Sequence, residues 1–140
     1  MFRLIQTADL LTARLAGEFS AVHGLSVKEF FLLMHLERAS LNRLSRVELA
    51  RRMHVSASTV TRMAAPMEKL GLVSRQVDER DARLAYVVLT KAGKTKLKEA
   101  SATFAKQADA AFQDRWEKDE LQQLSDLLNR FVAGEPASLT

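Results

Sequence analysis

The chain is poor in residues for covalent chemistry and rich in groups for hydrogen-bonded recognition. It holds no cysteine and three histidines. Without cysteine there are no disulfides, thiolate zinc sites, thiol nucleophiles or thiol-based oxidation switches. His23, His35 and His54 fall on three different predicted elements. They lack the i, i+4 spacing that puts two imidazoles on one helical face around zinc, so no metal is expected, and no cofactor either. His23 and His35 read as partly buried structural residues, and His54 as a group able to meet an anion when protonated. No glycine-rich phosphate loop, nucleophile elbow or Ser-His-Asp order is present, so no catalytic residue is assigned and an enzyme is disfavoured.

The recognition chemistry concentrates in Ser56-Ala-Ser-Thr-Val-Thr-Arg62, which holds four hydroxyls and one guanidinium. Short polar side chains on the first turns of a helix suit the DNA major groove, about 12 Å wide, which admits one α-helix. Arg62 is equipped for a bidentate contact to guanine, and Thr59 and Thr61 for bases or phosphates. The helix start adds a partial positive charge and free N–H groups for a phosphate. The loop Asp78-Glu-Arg-Asp-Ala-Arg83 follows, where an arginine can enter the narrow minor groove. Its acids are expected to hold the neighbouring arginines by charge-assisted hydrogen bonds; taken alone, the loop equally reads as an exposed turn with self-cancelling charges. The net charge is +4, but Arg43 to Lys98 holds 13 Lys/Arg against 5 Asp/Glu, leaving 8 against 12 elsewhere. A basic middle between acidic ends suits a polyanion-facing module carried on a scaffold with other work.

The positioning elements are legible from periodicity and caps. Leu4, Ala8, Leu11, Leu15, Phe19 and Val22 form one stripe of an amphipathic helix ended by Gly24. Ser26 with Glu29 makes a capping box for a helix to about Ala39, and Ser45 with Glu48 another for a short helix carrying Val47, Leu49, Ala50 and Met53. A polar turn, residues 40–45, joins the two. The next helix starts near Ser56 and stops at Gly71, with Val60, Met63, Met67 and Leu70 as its buried face. Pro66 lies inside it, removing its own N–H and crowding the Arg62 carbonyl at about 3 kcal/mol if unrelieved, so a bend is expected there. Residues 72–77 and 84–89 alternate as two strands around a six-residue tip. Thr90 caps a long helix whose pattern breaks around residues 115–118, and a last helix ends at Gly134 and Pro136, leaving a frayed tail. The fold class is therefore mainly α with a small β-hairpin wing (α+β): a winged helix-turn-helix lobe over residues 26–90.

Arg46 to Gly93 resembles the DNA-binding lobe of the MarR family of bacterial transcriptional regulators. The specific pieces are STVTRM, EKLGLVSR, the wing motif Asp78-x-Arg80-Asp81-x-Arg83, and the Leu89-Thr90-x-x-Gly93 exit. Upstream, GLSVKEFFLLMHL is similar to the family's second helix, so the likeness spans nearly all of residues 1–140. It implies a homodimer, with residues 1–23 and 91–133 as dimerisation helices, bound to a pseudo-palindromic operator as a repressor released by a small molecule or oxidant. By position Ser56, Ser58, Thr59, Thr61 and Arg62 fall on the recognition-helix contacts and Arg83 on the minor-groove arginine. Arg80 belongs to the same wing, and Asp81 falls on the acid that orients Arg83.

The apolar stripes on the first and last two helices exceed what one small lobe can cover, which independently favours pairing of two chains. An effector pocket is expected where the lobe meets those helices, with Phe19, His23, Phe30, Met34 and Phe112 as candidate lining or plain core. The rival function is a winged-helix protein-interaction module without specific DNA binding, against which the basic recognition surface argues. No segment is long and apolar enough to span a membrane and the first residues do not read as a signal peptide, so the cytoplasm is expected.

Overall fold

A computed structural model describes residues 1–135, so Pro136 lies outside the described residues. The elements run α1 (Phe2–Glu18), one π-helical turn (Phe19–His23), α2 (Val27–Arg38), β1 (Arg43–Ser45), α3 (Arg46–Arg52), α4 (Ala57–Lys69), β2 (Val73–Val77), β3 (Ala85–Leu89), α5 (Lys91–Phe112) and α6 (Lys118–Val132). The helix starts follow the local chemistry. Ser26 accepts the Glu29 N–H at 3.1 Å while Glu29 takes the Ser26 N–H at 2.8 Å, closing the capping box. At Ser45 only half of the expected box forms: its hydroxyl accepts the Glu48 N–H at 3.1 Å. The Glu48 carboxylate turns instead to Arg51 at 2.5 Å and Arg52 at 2.9 Å. The hydrogen bond from Arg52, joined by Arg51, holds Glu48 below the usual carboxylate range. Helix α4 continues through Pro66, and the Leu70 N–H closes its last turn on the Pro66 carbonyl at 3.1 Å.

The sheet has three strands in the order β1-β3-β2, all antiparallel, where a two-stranded hairpin was expected. Strand β1 comes from the segment read as a turn. Leu41 and Asn42 take left-handed backbone, and Asn42 Nδ2 donates to the Glu37 carbonyl at 2.9 Å, turning the chain back along β3. A hairpin alone is marginal in water, and the third strand supplies the support it needs.

The core lies under the sheet and between α2, α4 and α5, with Phe19, Phe30, Leu32, Leu33, Leu36, Leu49, Val60, Met67 and Leu97 nearly or fully buried. Several residues assigned to apolar faces are exposed instead, among them Leu4 at 46%, Val22 at 63%, Val47 at 72% and Leu70 at 68%. Leu70 occupies the C-cap of α4, one residue beyond the helix and three beyond its last buried residue, Met67. Neither α1 nor α6 buries a residue within the chain. Phe2, Ile5, Leu10, Leu127 and Phe131 all stand half exposed or more.

His35 is the one buried polar side chain among the described residues. Burial, and then the charges of Arg52 and Arg38, lower its pKa from 6.5. The unfolded chain therefore takes up this proton near pH 6.5, and the fold only at a lower pH. Its contribution is present above that pH and lost as the pH falls below it. Urea unfolding at pH 7.5 and 5.5 is expected to show a smaller acid loss for His35→Leu than for the parent chain. An equal loss in both would remove His35 from the acid response.

Candidate nucleic-acid interface

The hydroxyl-rich start of α4 is an ordered network. Ser56 is the N-cap, its Oγ accepting the Thr59 N–H at 3.1 Å and lying 2.9 Å from both Ser58 Oγ and Thr59 Oγ1. Arg62 Nη2 donates to Thr59 Oγ1 at 3.3 Å. Thr61 Oγ1 donates to the Ala57 carbonyl at 3.1 Å and accepts from Arg46 Nη1 at 3.1 Å. Ser58, Thr61 and Arg62 share one face of α4, and together with Arg46, Val47 and Ala57 they line a shallow open depression. Five sequence-assigned residues, Ser56, Ser58, Thr59, Thr61 and Arg62, are thus brought together on one helical start. Arg46 and Val47 were missed. Both arrive from α3 by the turn geometry, and Val47 reads from the sequence as a core residue.

Arg80, Asp81 and Arg83 stand apart on the wing loop, closed by the Asp78 N–H on the Leu84 carbonyl and the Leu84 N–H on the Asp81 carbonyl, both at 2.9 Å. Asp81 Oδ1 accepts the Arg83 N–H at 3.0 Å, and the Arg83 Nε lies 3.7 Å from the same oxygen. The Arg83 side chain is 95% exposed. An ion pair this open contributes about 0–1 kcal/mol at most, so its effect is on direction rather than stability. Asp78 departs from its expected task of holding an arginine side chain. Its Oδ1 accepts the backbone N–H groups of Arg80 and Asp81 at 2.7 and 3.0 Å, organising the loop itself.

The expected effector residues are mostly elsewhere. Phe19 and Phe30 are core, their ring centroids 4.9 Å apart, with Phe104 stacked 5.5 Å from Phe30. Met34 packs against that core. His23 Nε2 lies 2.7 Å from Thr103 Oγ1, joining the π-helical turn to α5. A cavity of about 350 Å³ does open between α1, α2 and α5, lined by Leu11, Leu15, Phe31, Phe104 and Phe112 among others. Of the five candidates only Phe112 lines it. One residue along a helix turns a side chain by about 100°, which makes Phe31 a lining residue where Phe30 is core. Among the described residues no group of three His, Cys, Asp or Glu side chains could hold a metal, and no helix is long and apolar enough to cross a membrane.

Residues 23–84 match the family model described as "MarR family". The chain is 37% identical over 81 residues to the HTH-type transcriptional repressor YetL of Bacillus subtilis, covering 58% of this chain and 48% of the relative. It is 36% identical over 96 residues to the transcriptional activatory protein BadR of Rhodopseudomonas palustris, covering 66% and 53%. The chain thus spans about half the length of the curated relatives it matches. Among solved structures, it superposes with a TM-score of 0.84 at 24% identity on Sco3205 of Streptomyces coelicolor, a MarR family transcriptional regulator in complex with DNA, covering 94% of this chain and 82% of that one. With the transcriptional regulator BldR of Sulfolobus solfataricus the TM-score is 0.75 at 25% identity, covering 92% and 94%.

Proposed function

We propose that the chain is a dimeric, sequence-specific DNA-binding regulator of transcription of the MarR family, a reading supported by the match across residues 23–84 and by the fold. The observation that carries this reading is the pairing of two exposed arginine-bearing surfaces on one lobe. One is the capped start of α4, where Ser58, Thr61 and Arg62 share a face. The other is the wing, where Asp81 braces the exposed Arg83. The first has the width and donor chemistry for the major groove, and the second the reach for the minor groove. Residues 26–90 form the DNA-binding lobe.

The open apolar faces of α1 and α6 support residues 1–23 and 91–133 as the dimerisation helices. Pairing would set two α4 helices about one DNA turn, roughly 34 Å, apart on a pseudo-palindromic operator. The protein works in the cytoplasm as a repressor, a sign supported by the name of the Bacillus relative. Release follows when a small molecule occupies the cavity between α1, α2 and α5, whose volume of about 350 Å³ is within the usual range for small ligands.

A duplex selected by the protein from a random pool is expected to bind about 10³-fold or more tighter than unselected DNA. Its log affinity is expected to fall by about 0.9 per log unit of salt for each phosphate neutralised. Sedimentation at micromolar concentration is expected to give a two-chain mass. A single-chain mass would sink the dimer, and equal affinity for selected and unselected duplexes would sink the regulator.

A further inference from the structure

The outer face of the wing sheet carries a run of contacts that fills no core. Side chains alternate faces along a strand. In the observed register, Ser45 and Gln76 both lie opposite Tyr86 and Arg43 opposite Val88, so Arg43, Gln76 and Tyr86 share the face away from buried Leu44 and Val87. The Arg43 guanidinium lies over the Tyr86 ring, its Cζ 4.5 Å from the centroid, and its Nη1 donates to Gln76 Oε1 at 3.0 Å. The Tyr86 hydroxyl donates over 3.4 Å to Asp78 Oδ2, while Asp78 Oδ1 holds the N–H groups of Arg80 and Asp81. Those two backbone bonds, with smaller help from Tyr86 and Arg43, hold the Asp78 carboxyl below its ordinary range. The contacts therefore run unbroken from an edge strand to the loop that projects Arg83. At its other end β1 passes directly into α3, whose Arg46 holds Thr61 of α4.

We propose that Arg43 is a positioning residue for the wing: acting through Tyr86 and Asp78, it ties the wing loop to the strand that leads into the helix-turn-helix. Wing and recognition helix are then presented to DNA at one fixed spacing. Residues 43–46 form the bracket, with Arg43 gripping the wing and Arg46 gripping α4. A guanidinium suits the task because its planar fork stacks on a ring and donates sideways at once, which an ammonium does not. The inference rests on the DNA-binding reading above, and its test separates the two.

The experiment uses the full chain with Arg43→Met and Tyr86→Phe, each alone and combined with Arg83→Ala. In DNA-free protein, hydrogen exchange at the Arg80 and Asp81 amides is expected to quicken about three- to tenfold in both variants, because the loop opens more often. Arg43→Met is expected to weaken binding to the selected duplex about three- to tenfold at an unchanged salt slope. That loss should fall below about twofold once Arg83 is already alanine, since the two act through one element. Unchanged exchange at both amides would overturn the proposal. So would a salt slope shallower by about 0.9, which marks a direct phosphate contact, or full multiplication with Arg83→Ala. Tyr86→Phe keeps the ring and carries the test if Arg43→Met does not fold. Exchange needs no DNA, so failure of the parent chain to prefer any duplex sinks the function while the bracket is still decided.

Discussion

Arg62→Ala is expected to cost about 1–3 kcal/mol of binding per half-site, roughly 5- to 150-fold, and to relax base preference at one position in each. The side chain is exposed at the α4 start, and its one intramolecular bond among the described residues is a 3.3 Å contact with Thr59. A guanidinium so lightly held gives up little when it turns to a guanine edge. The remaining hydroxyls are more committed: Ser56 caps the helix, and Thr61 bonds both Ala57 and Arg46. They position the helix while Arg62 supplies the donor fork. Arg62→Lys keeps the charge and loses the fork, so it should lose preference at that base with a smaller fall in affinity. Competition binding against duplexes changed at each position in turn makes the measurement. A uniform loss across all sequences would reassign Arg62 to a phosphate.

Among the five glycines, Gly93 is the one where an added β-carbon meets packed neighbours, and Gly93→Ala is expected to destabilise the fold. A β-carbon there would stand 2.0 Å from the Leu72 carbonyl oxygen and 2.7 Å from Leu89 Cδ1. The leucine methyl can rotate away, but the carbonyl cannot. It accepts the Thr90 N–H at 3.2 Å and lies 2.9 Å from the Thr90 hydroxyl, whose oxygen in turn accepts the Gly93 N–H at 3.0 Å. One extra carbon thus pushes on the N-cap of α5 and on the root of the wing together. Alanine would gain about 1 kcal/mol from helix propensity, but overpacking against backbone outweighs this at the upper end of its usual range of about 1–3 kcal/mol, or beyond. A net loss of about 2–3 kcal/mol lowers the melting temperature by roughly 5–10 °C in a domain of this size. Thermal unfolding followed by circular dichroism tests it, and an unchanged or higher midpoint would show that the α5–wing joint has slack.

Much of the site was legible because it is local. The caps at Ser26, Ser56 and Thr90 announce themselves within four residues, and the hydroxyls and Arg62 follow directly from the helix that Ser56 begins. The wing loop was legible for the same reason, as a charged tip between two alternating runs. What escaped was set by groups distant along the chain. Strand β1 has three residues, too few for a period-two pattern, and becomes a strand only because β3, about forty residues later, lies alongside. Arg46 and Val47 join the proposed recognition surface through the angle between α3 and α4, so Val47 is an exposed apolar residue that patterning assigns inward.

From the sequence alone came the order of the helices and the hairpin strands, the N-caps at Ser26, Ser45, Ser56 and Thr90, the basic middle and the residues proposed to face DNA, since each depends on composition or on contacts within one turn. Only the tertiary structure decided that the wing is a three-stranded sheet, that Asp78 holds backbone rather than a guanidinium, and that Phe31 rather than Phe30 lines the α1–α2–α5 cavity. It also decided that Arg43 reaches the wing at all. These depend on strand register, helix phase and which side of an element meets its neighbour, and those are fixed only when distant segments pack.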